Sequence, residues 1–251
     1  MISTIRSILN KSCHYYFAVS MGVDSVSAYH WMLSKGFNVS PIHYNHKLRP
    51  QNDLMEEKYK ELCEENNCKT IIGYGNHDPT MKFYMDEVGT VSEADCRSAR
   101  LRFFNTLADY SYEDDDSPIT ILTAHHLNDC VESYLLNCFR GKPNHDFFSL
   151  TSDFPASEFE FSRNKGDFII AHPFLTSRKK DFEQYAQRNN LMKFVVNDET
   201  NSVDKGSRRN WIRNKIIPEM KSQKLSLEKY CLKRIKEMTN SGNINPTTGD
   251  Y

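Results

Sequence analysis

Short apolar runs alternate with amphipathic helical stretches along most of this chain. His14 to Val19 reads as a buried strand; small and polar residues follow, and then Val26, Tyr29 and Leu33 recur at helical spacing. Phe37 to Tyr44 is a second strand, Asp53 to Asn66 a charged helix with Leu54, Tyr59 and Leu62 as its apolar side, and Lys69 to Tyr74 a third strand. Ser92 opens a helix through Ala108, with Asp95 rather than a glutamate three residues after this candidate N-cap. Ile119 to Thr123 is a fourth strand, Asn128 to Phe139 a helix, and Phe168 to Ala171 a last strand. Arg178 to Asn190, Arg209 to Lys221 (despite Pro218) and Leu225 to Met238 read as helical. Repeated units of this kind predict an α/β fold, a parallel twisted sheet with helices on both faces. Ligands of such sheets sit beyond the carboxyl ends of the strands, so the loops after strands one, two and four are expected to share one crevice.

Between these elements, the acidic run Glu113 to Asp116 is an expected exposed loop, and Gly141 to Gly166 an aperiodic excursion beside the crevice. The tail from Thr239, rich in Asn, Gly, Thr and Ser, is expected to be disordered. Residues 1–220 are therefore assigned to one main domain and 221–251 to a short helical extension with a flexible tail. A chain of 251 residues, 39% apolar and 26% charged, has enough apolar residues for one large core. No apolar run approaches a membrane span, and the N-terminus lacks a secretory pattern. Seven cysteines without a C-x-x-C pair suit free thiols in a reducing cytosol. The net charge of −1 conceals a basic region, with 18 Lys+Arg against 8 Asp+Glu from Arg163 to Lys236. That balance suits either a nucleic acid backbone or a solvated helical face.

The chemistry gathers in the loops. Ser20-Met21-Gly22-Val23-Asp24-Ser25 joins the first strand to its helix, which puts backbone N–H groups at a helix N-terminus. The turn is either an ordinary N-capped helix or a phosphate site. In the second case Gly22 admits the anion, Ser20 and Ser25 add hydroxyls, and Asp24 holds a Mg²⁺ or a reacting group. The Lys-bearing G-x-x-x-x-G-K-[ST] loop of γ-phosphate hydrolases is absent. Glu93, Arg97 and Arg100 share a helical face, either as a surface ion-pair ladder or as a pair of guanidiniums around a phosphate. Asp129 and Glu132, three apart after His125 and His126, present two carboxylates suited to an ammonium ligand that must lose a proton to react. The histidines could also join them around zinc. Arg209 and Arg213 share one face of a later helix, with Trp211 and Ile212 expected to pack inward.

In this order the blocks resemble the tRNA(Ile)-lysidine synthetase family of PP-loop ATP pyrophosphatases. The family signatures are S-G-G-x-D-S, N-H-x-L-R, E-A-x-x-R-x-x-R, A-H-H-x-x-D-x-x-E and R-N-x-I-R. The chain offers Ser20 to Ser25, Asn45-His46-Lys47-Leu48-Arg49, Glu93 to Arg100, Ala124 to Glu132 and Arg209 to Arg213. The resemblance covers roughly residues 14 to 220. It implies an adenine nucleotide alpha hydrolase-like fold and a ligase that splits ATP to AMP and pyrophosphate. The wobble cytidine of an isoleucine tRNA, with a CAU anticodon, would be adenylated on its C2 oxygen. The amine of free lysine would then displace AMP to leave lysidine. Ser20, Met21, Gly22, Val23, Asp24 and Ser25, with His46, His125 and His126, would bind ATP, and Asp24 its Mg²⁺. Asp24, Asp129 and Glu132 would be catalytic. Asp129 and Glu132 would also meet the lysine amine, while Arg97, Arg100, Arg209 and Arg213 would hold phosphates or the tRNA strand. The implied setting is cytoplasmic, with a homodimer as a further partner state. Two departures stand out: Met21 replaces the first family glycine, and the helical appendage of other members is represented by little more than Leu225 to Met238. A thiolase of the same PP-loop group, and an inactive tRNA-binding relative, are the alternative readings.

Overall fold

The computed structural model describes residues 1–111, 117–142, 150–154, 167–197 and 207–240. The acidic run from Glu113 to Asp116, most of the excursion after Gly141, the segment from Asp198 to Asn201 and nearly all of the tail lie outside them.

Six strands form one sheet: β1 (His14–Ala18), β2 (Asn38–Asn45), β3 (Ile72–Tyr74), β4 (Ile119–Leu122), β5 (Thr151–Phe154) and β6 (Phe168–Ala171). Their order is β3-β2-β1-β4-β6-β5. Every pairing is parallel except that of β5 with β6. The antiparallel edge strand β5 is absent from the sequence reading. It lies inside the stretch assigned to an aperiodic excursion, and four residues are too few to display a period of two.

Alternation along the strands divides the apolar side chains between two faces. Phe17, Val39, Leu122 and Ala171 face one cluster with Tyr29, Met32, Tyr59, Phe174 and Phe182. That face is covered by α1 (Val23–Ser34), α2 (Pro50–Glu65) and, after β6, the helix Lys179–Arg188. Ile42, Ile121, Phe168 and Ile170 face the other way, with Phe104 and Ala108. The short α3 (Pro79–Phe83) precedes α4 (Glu93–Ser111), which covers this second face. The helices thus lie on both faces of the predicted parallel sheet. Asp95 does close the cap of α4, because its carboxylate accepts from the Ser92 N–H at 2.9 Å while the Ser92 hydroxyl accepts from the Asp95 N–H at 3.1 Å.

One apolar assignment is reversed. Leu54 is 44% exposed, and Glu56 takes the inward position on α2. Burial there is tolerated because Asn45, Lys47, Lys60 and Tyr74 all donate to its carboxylate, at 2.7, 3.2, 2.7 and 3.0 Å. These partners overcome desolvation and bring the Glu56 pKa down to about 2.

A third cluster carries α5 (Leu127–Phe139). Leu127, Cys130 and Val131 pack with Ile5, Leu150, Leu175 and the Cys231 and Ile235 side chains of the last helix. Continuing the numbering, α6 is Lys179–Arg188, α7 is Arg208–Trp211, α8 is Ile217–Ser222 and α9 is Glu228–Asn240. A π turn, Ile212–Ile216, joins α7 to α8, and its end is marked by a bond from the Ile217 N–H to the Ile212 carbonyl. Pro218 follows in the first turn of α8, where its missing N–H is accommodated, so the helical run passes the proline. Among the described residues, no helix is long and apolar enough to cross a membrane.

Candidate active site

The chain runs outward from β1 to β3 and then returns to β4 on the other side of β1, which makes the β1–β4 boundary the switch point of the sheet. The loops that leave β1 and β4 meet above it. In the first loop Met21 has φ 61°, a left-handed conformation that costs a side-chain-bearing residue roughly 1–2 kcal/mol. The Met21 side chain is nevertheless fully buried in the main core, and its carbonyl accepts from the Val196 N–H at 2.9 Å. The methionine thus keeps its side chain on the core side of the turn.

The two serines of the loop do different work. The Ser25 hydroxyl is buried, donates to the Gly22 carbonyl at 3.0 Å and accepts from the Ser20 N–H at 3.1 Å, so it ties the turn shut. Ser20 is exposed at the rim, 3.1 Å from Ser25 Oγ. A Cβ on Gly22 would meet only Ser20 Oγ, at 3.7 Å, so the glycine leaves its space on the open side of the turn. Gly22 caps α1, and Val23 and Asp24 are its first two residues.

Asp24 Oδ2 lies 3.5 Å from His126 Nε2, while Asp24 Oδ1 is buried with no hydrogen-bond partner. On its other side His126 Nδ1 stands 3.2 Å from Asp129 Oδ2, which also accepts from the His126 N–H at 2.9 Å and so caps α5. Burial opposes charge on His126, but Asp129, Asp24 and Glu132 outweigh it and raise the imidazole pKa. An aspartate–histidine–aspartate chain therefore links the β1 loop to the start of α5.

Glu132, one helical turn further on, is almost wholly buried and held bidentately by Arg213, whose Nε and Nη2 donate at 2.7 and 2.8 Å. Arg209 Nε lies 3.4 Å from the same carboxylate, and its Nη2 donates to Ser133 Oγ at 2.7 Å. The expected Asp129–Glu132 pair and the expected Arg209–Arg213 pair thus form one assembly rather than two separate sites. Arg213 Nη2 is also 3.9 Å from Asp129 Oδ1. The inward packing of Trp211 is not found: Ile212 is fully buried, whereas Trp211 is 47% exposed. With Arg209 and Arg213 turned toward Glu132, the residue midway between them must face outward.

His125 stands next to this assembly. Burial, together with the charges of Arg209, Arg100 and Arg97, lowers its pKa to about 3 and keeps the ring neutral. Its Nδ1 is 2.8 Å from Thr123 Oγ1, which in turn is 2.6 Å from His172 Nδ1. Burial holds His172 well below the usual histidine range as well. Thr123 and His172 escaped the sequence reading. The available signal was a histidine directly after the last strand, at the end where ligands of such sheets bind. His46, after β2, is lowered to about 4 by burial and by Arg100. The charges of Arg97 and Arg100 thus act on the histidine side of the crevice. The loop holding His46 is fixed from below: Lys47 donates to Asp53 at 2.6 Å, and Gly75 passes so near that a Cβ there would lie 2.3 Å from the His46 carbonyl.

Among the described residues, no three His, Cys, Asp or Glu side chains gather in a metal-ligating group, so the two histidines and two carboxylates do not make a zinc site. Mg²⁺ asks less of a protein, one or two carboxylates with phosphate oxygens completing the shell. The unpartnered Oδ1 of Asp24 beside a helix N-terminus fits that requirement.

Residues 3–220 match the PP-loop domain family model. The chain is 27% identical over 226 residues to a tRNA(Ile)-lysidine synthase of Lactiplantibacillus plantarum, covering 88% of this chain and 45% of that protein. A tRNA(Ile)-lysidine synthase of Clostridium perfringens is 30% identical over 220 residues, covering 85% of this chain and 41% of that one. The chain thus spans less than half the length of these curated relatives. Among solved structures, a U34-tRNA thiolase of Methanococcus maripaludis, described with its [4Fe-4S] cluster, superposes with a TM-score of 0.63 at 14% identity, covering 96% of this chain and 75% of that one. At that identity the likeness is one of fold.

Proposed function

The chain belongs to the PP-loop domain family, and from that premise we propose that it is an ATP-dependent tRNA-modifying ligase that forms lysidine. In the first step the C2 oxygen of the wobble cytidine attacks the α-phosphorus of ATP, an oxygen–phosphorus bond forms and pyrophosphate leaves. In the second, the side-chain amine of free lysine attacks C2 and AMP departs with that oxygen. The tRNA is an isoleucine tRNA with a CAU anticodon, and the setting is the cytoplasm.

The backbone turn from Ser20 to Ser25 holds the phosphates, with Ser25 maintaining its shape and the Ser20 hydroxyl on the open side. Asp24, with its unpartnered Oδ1, would hold Mg²⁺, and the ion would supply positive charge against the phosphate oxygens. Neutral His46 and His125 line the nucleotide without adding charge. Arg97 and Arg100 face the anionic groups of the two substrates. Asp129 receives the lysine ammonium and takes the proton lost before attack. Its reach to the amine is set by Arg213, which bridges Asp129 and the buried Glu132. Glu132 accordingly acts through Arg213 as a positioning residue.

The observation that carries this reading is the chain of Asp24, His126 and Asp129, backed by Glu132 and Arg213. It unites three distant segments at the mouth of the β1–β4 boundary. Asp24→Asn tests it. The variant should fold normally and lose tRNA-dependent pyrophosphate release by at least a hundredfold. Release at the wild-type rate would remove Asp24 from the site and the reading with it.

A further inference from the structure

Resting on the tRNA reading above, we propose that the outer face of the α5–α7 junction is a stacking shelf for a nucleotide that flanks the reacting base. Phe139 and Trp211 are 58% and 47% exposed, and their rings are neighbours, tilted by 54° with centroids 5.8 Å apart. They border a cavity of about 460 Å³ whose remaining lining is Leu136, Ile212, Arg140 and Arg208. Its volume is in the range of small-ligand clefts. Two exposed aromatic rings beside Leu136 and Ile212, with two exposed arginines in the same lining, make a combination suited to an unstacked base. The rings take the base face and the guanidiniums take the flanking phosphates. An apolar partner would leave both arginines without counter-charge, so charge complementarity favours an RNA strand.

Position supplies the second argument. Glu132, Leu136 and Phe139 follow one another at helical spacing on α5, so the shelf begins roughly 6 Å from Glu132 along the axis and extends to roughly 10 Å. That distance is the length of about two or three stacked nucleotides. The run from α7 into the π turn serves both places, with Arg209 and Arg213 turned in to Glu132 and Arg208 and Trp211 at the cavity. A strand seated on the shelf would therefore bear on the element that fixes Glu132.

The chain has two tryptophans, and Trp31 is packed against Phe37 and Phe174. Binding can thus be followed by tryptophan quenching as well as by the anisotropy of a labelled unmodified tRNA. Wild type should bind with quenching that Trp211→Phe removes. Trp211→Ala should weaken tRNA about tenfold or more, and Arg208→Ala should weaken it and flatten its salt dependence. The thermal shift given by Mg-ATP should stay unchanged in all three variants, which shows that they are folded. Equal tRNA affinity in wild type and Trp211→Ala, with tRNA-dependent pyrophosphate release intact, would overturn the shelf while the proposed function stands. No tRNA binding by wild type would overturn both. A dimer that Trp211→Ala dissolves without loss of tRNA affinity would assign the shelf to a second copy and overturn the proposal.

Discussion

Met21 shows how one position can meet two demands. The turn requires a left-handed residue, for which glycine is the low-cost choice, yet here the side chain also fills the core beneath β1. Relief of the backbone would return about 1–2 kcal/mol, whereas losing a fully buried methionine side chain costs about 2–5 kcal/mol. Met21→Gly, although it restores the usual PP-loop residue, should therefore lower stability by about 2 kcal/mol in urea unfolding while leaving pyrophosphate release measurable. A variant as stable as wild type would show that the side chain contributes nothing to the core. The sequence marked this residue as a departure but not its direction, because an S-x-G-x-D-S pattern is silent on which side of the turn the second side chain leaves. Ser25 is similar: its presence was legible, and its use inside the loop rather than toward a ligand was not.

Elements place the rest of the site, and most of them could be read. Strands β1, β2, β4 and β6 and helices α1, α4, α5 and α6 fall close to where periodicity puts them. The misreadings have specific causes. Leu54 was chosen for the inner face of α2 by hydrophobicity, but four donors around Glu56 make the carboxylate the better buried group. Trp211 was turned inward for the same reason, and the buried charge of Glu132 drew Arg209 and Arg213 to that face instead. The two causes differ in range: the partners of Glu56 lie within eighteen residues of it, whereas Glu132 meets arginines about eighty residues away, a pairing that leaves no mark on local hydrophobic pattern. The close approach of β3 and β2 provides a test of element placement. A Cβ on Gly75 would press on the backbone carbonyl of His46, which cannot rotate aside as a side chain could. Gly75→Ala should cost about 1–3 kcal/mol by denaturant unfolding and weaken ATP binding, since the His46 loop must shift. Unchanged stability would mean that the two backbones do not meet so closely.

Across the molecule, the five parallel strands bring the loops that follow them to one edge, and the reversal at β1 opens the crevice between those after β1 and β4. That much followed from the repeated βα units. What the fold adds is the joining of the α5 carboxylates to the late arginines, so that residues 129–132 and 209–213 form one wall. The last helix reinforces it, since Cys231 and Ile235 pack under α5. On the proposed function, this wall receives an amine and the β1 loop an ATP. That function is tested most directly by incubating the protein with labelled lysine, Mg-ATP and unmodified tRNA and analysing the nucleosides by mass. A cytidine enlarged by lysine with loss of water should form, and only when ATP is present. AMP and pyrophosphate produced on tRNA with no lysine in any nucleoside would contradict the assignment of Asp129 to the amine.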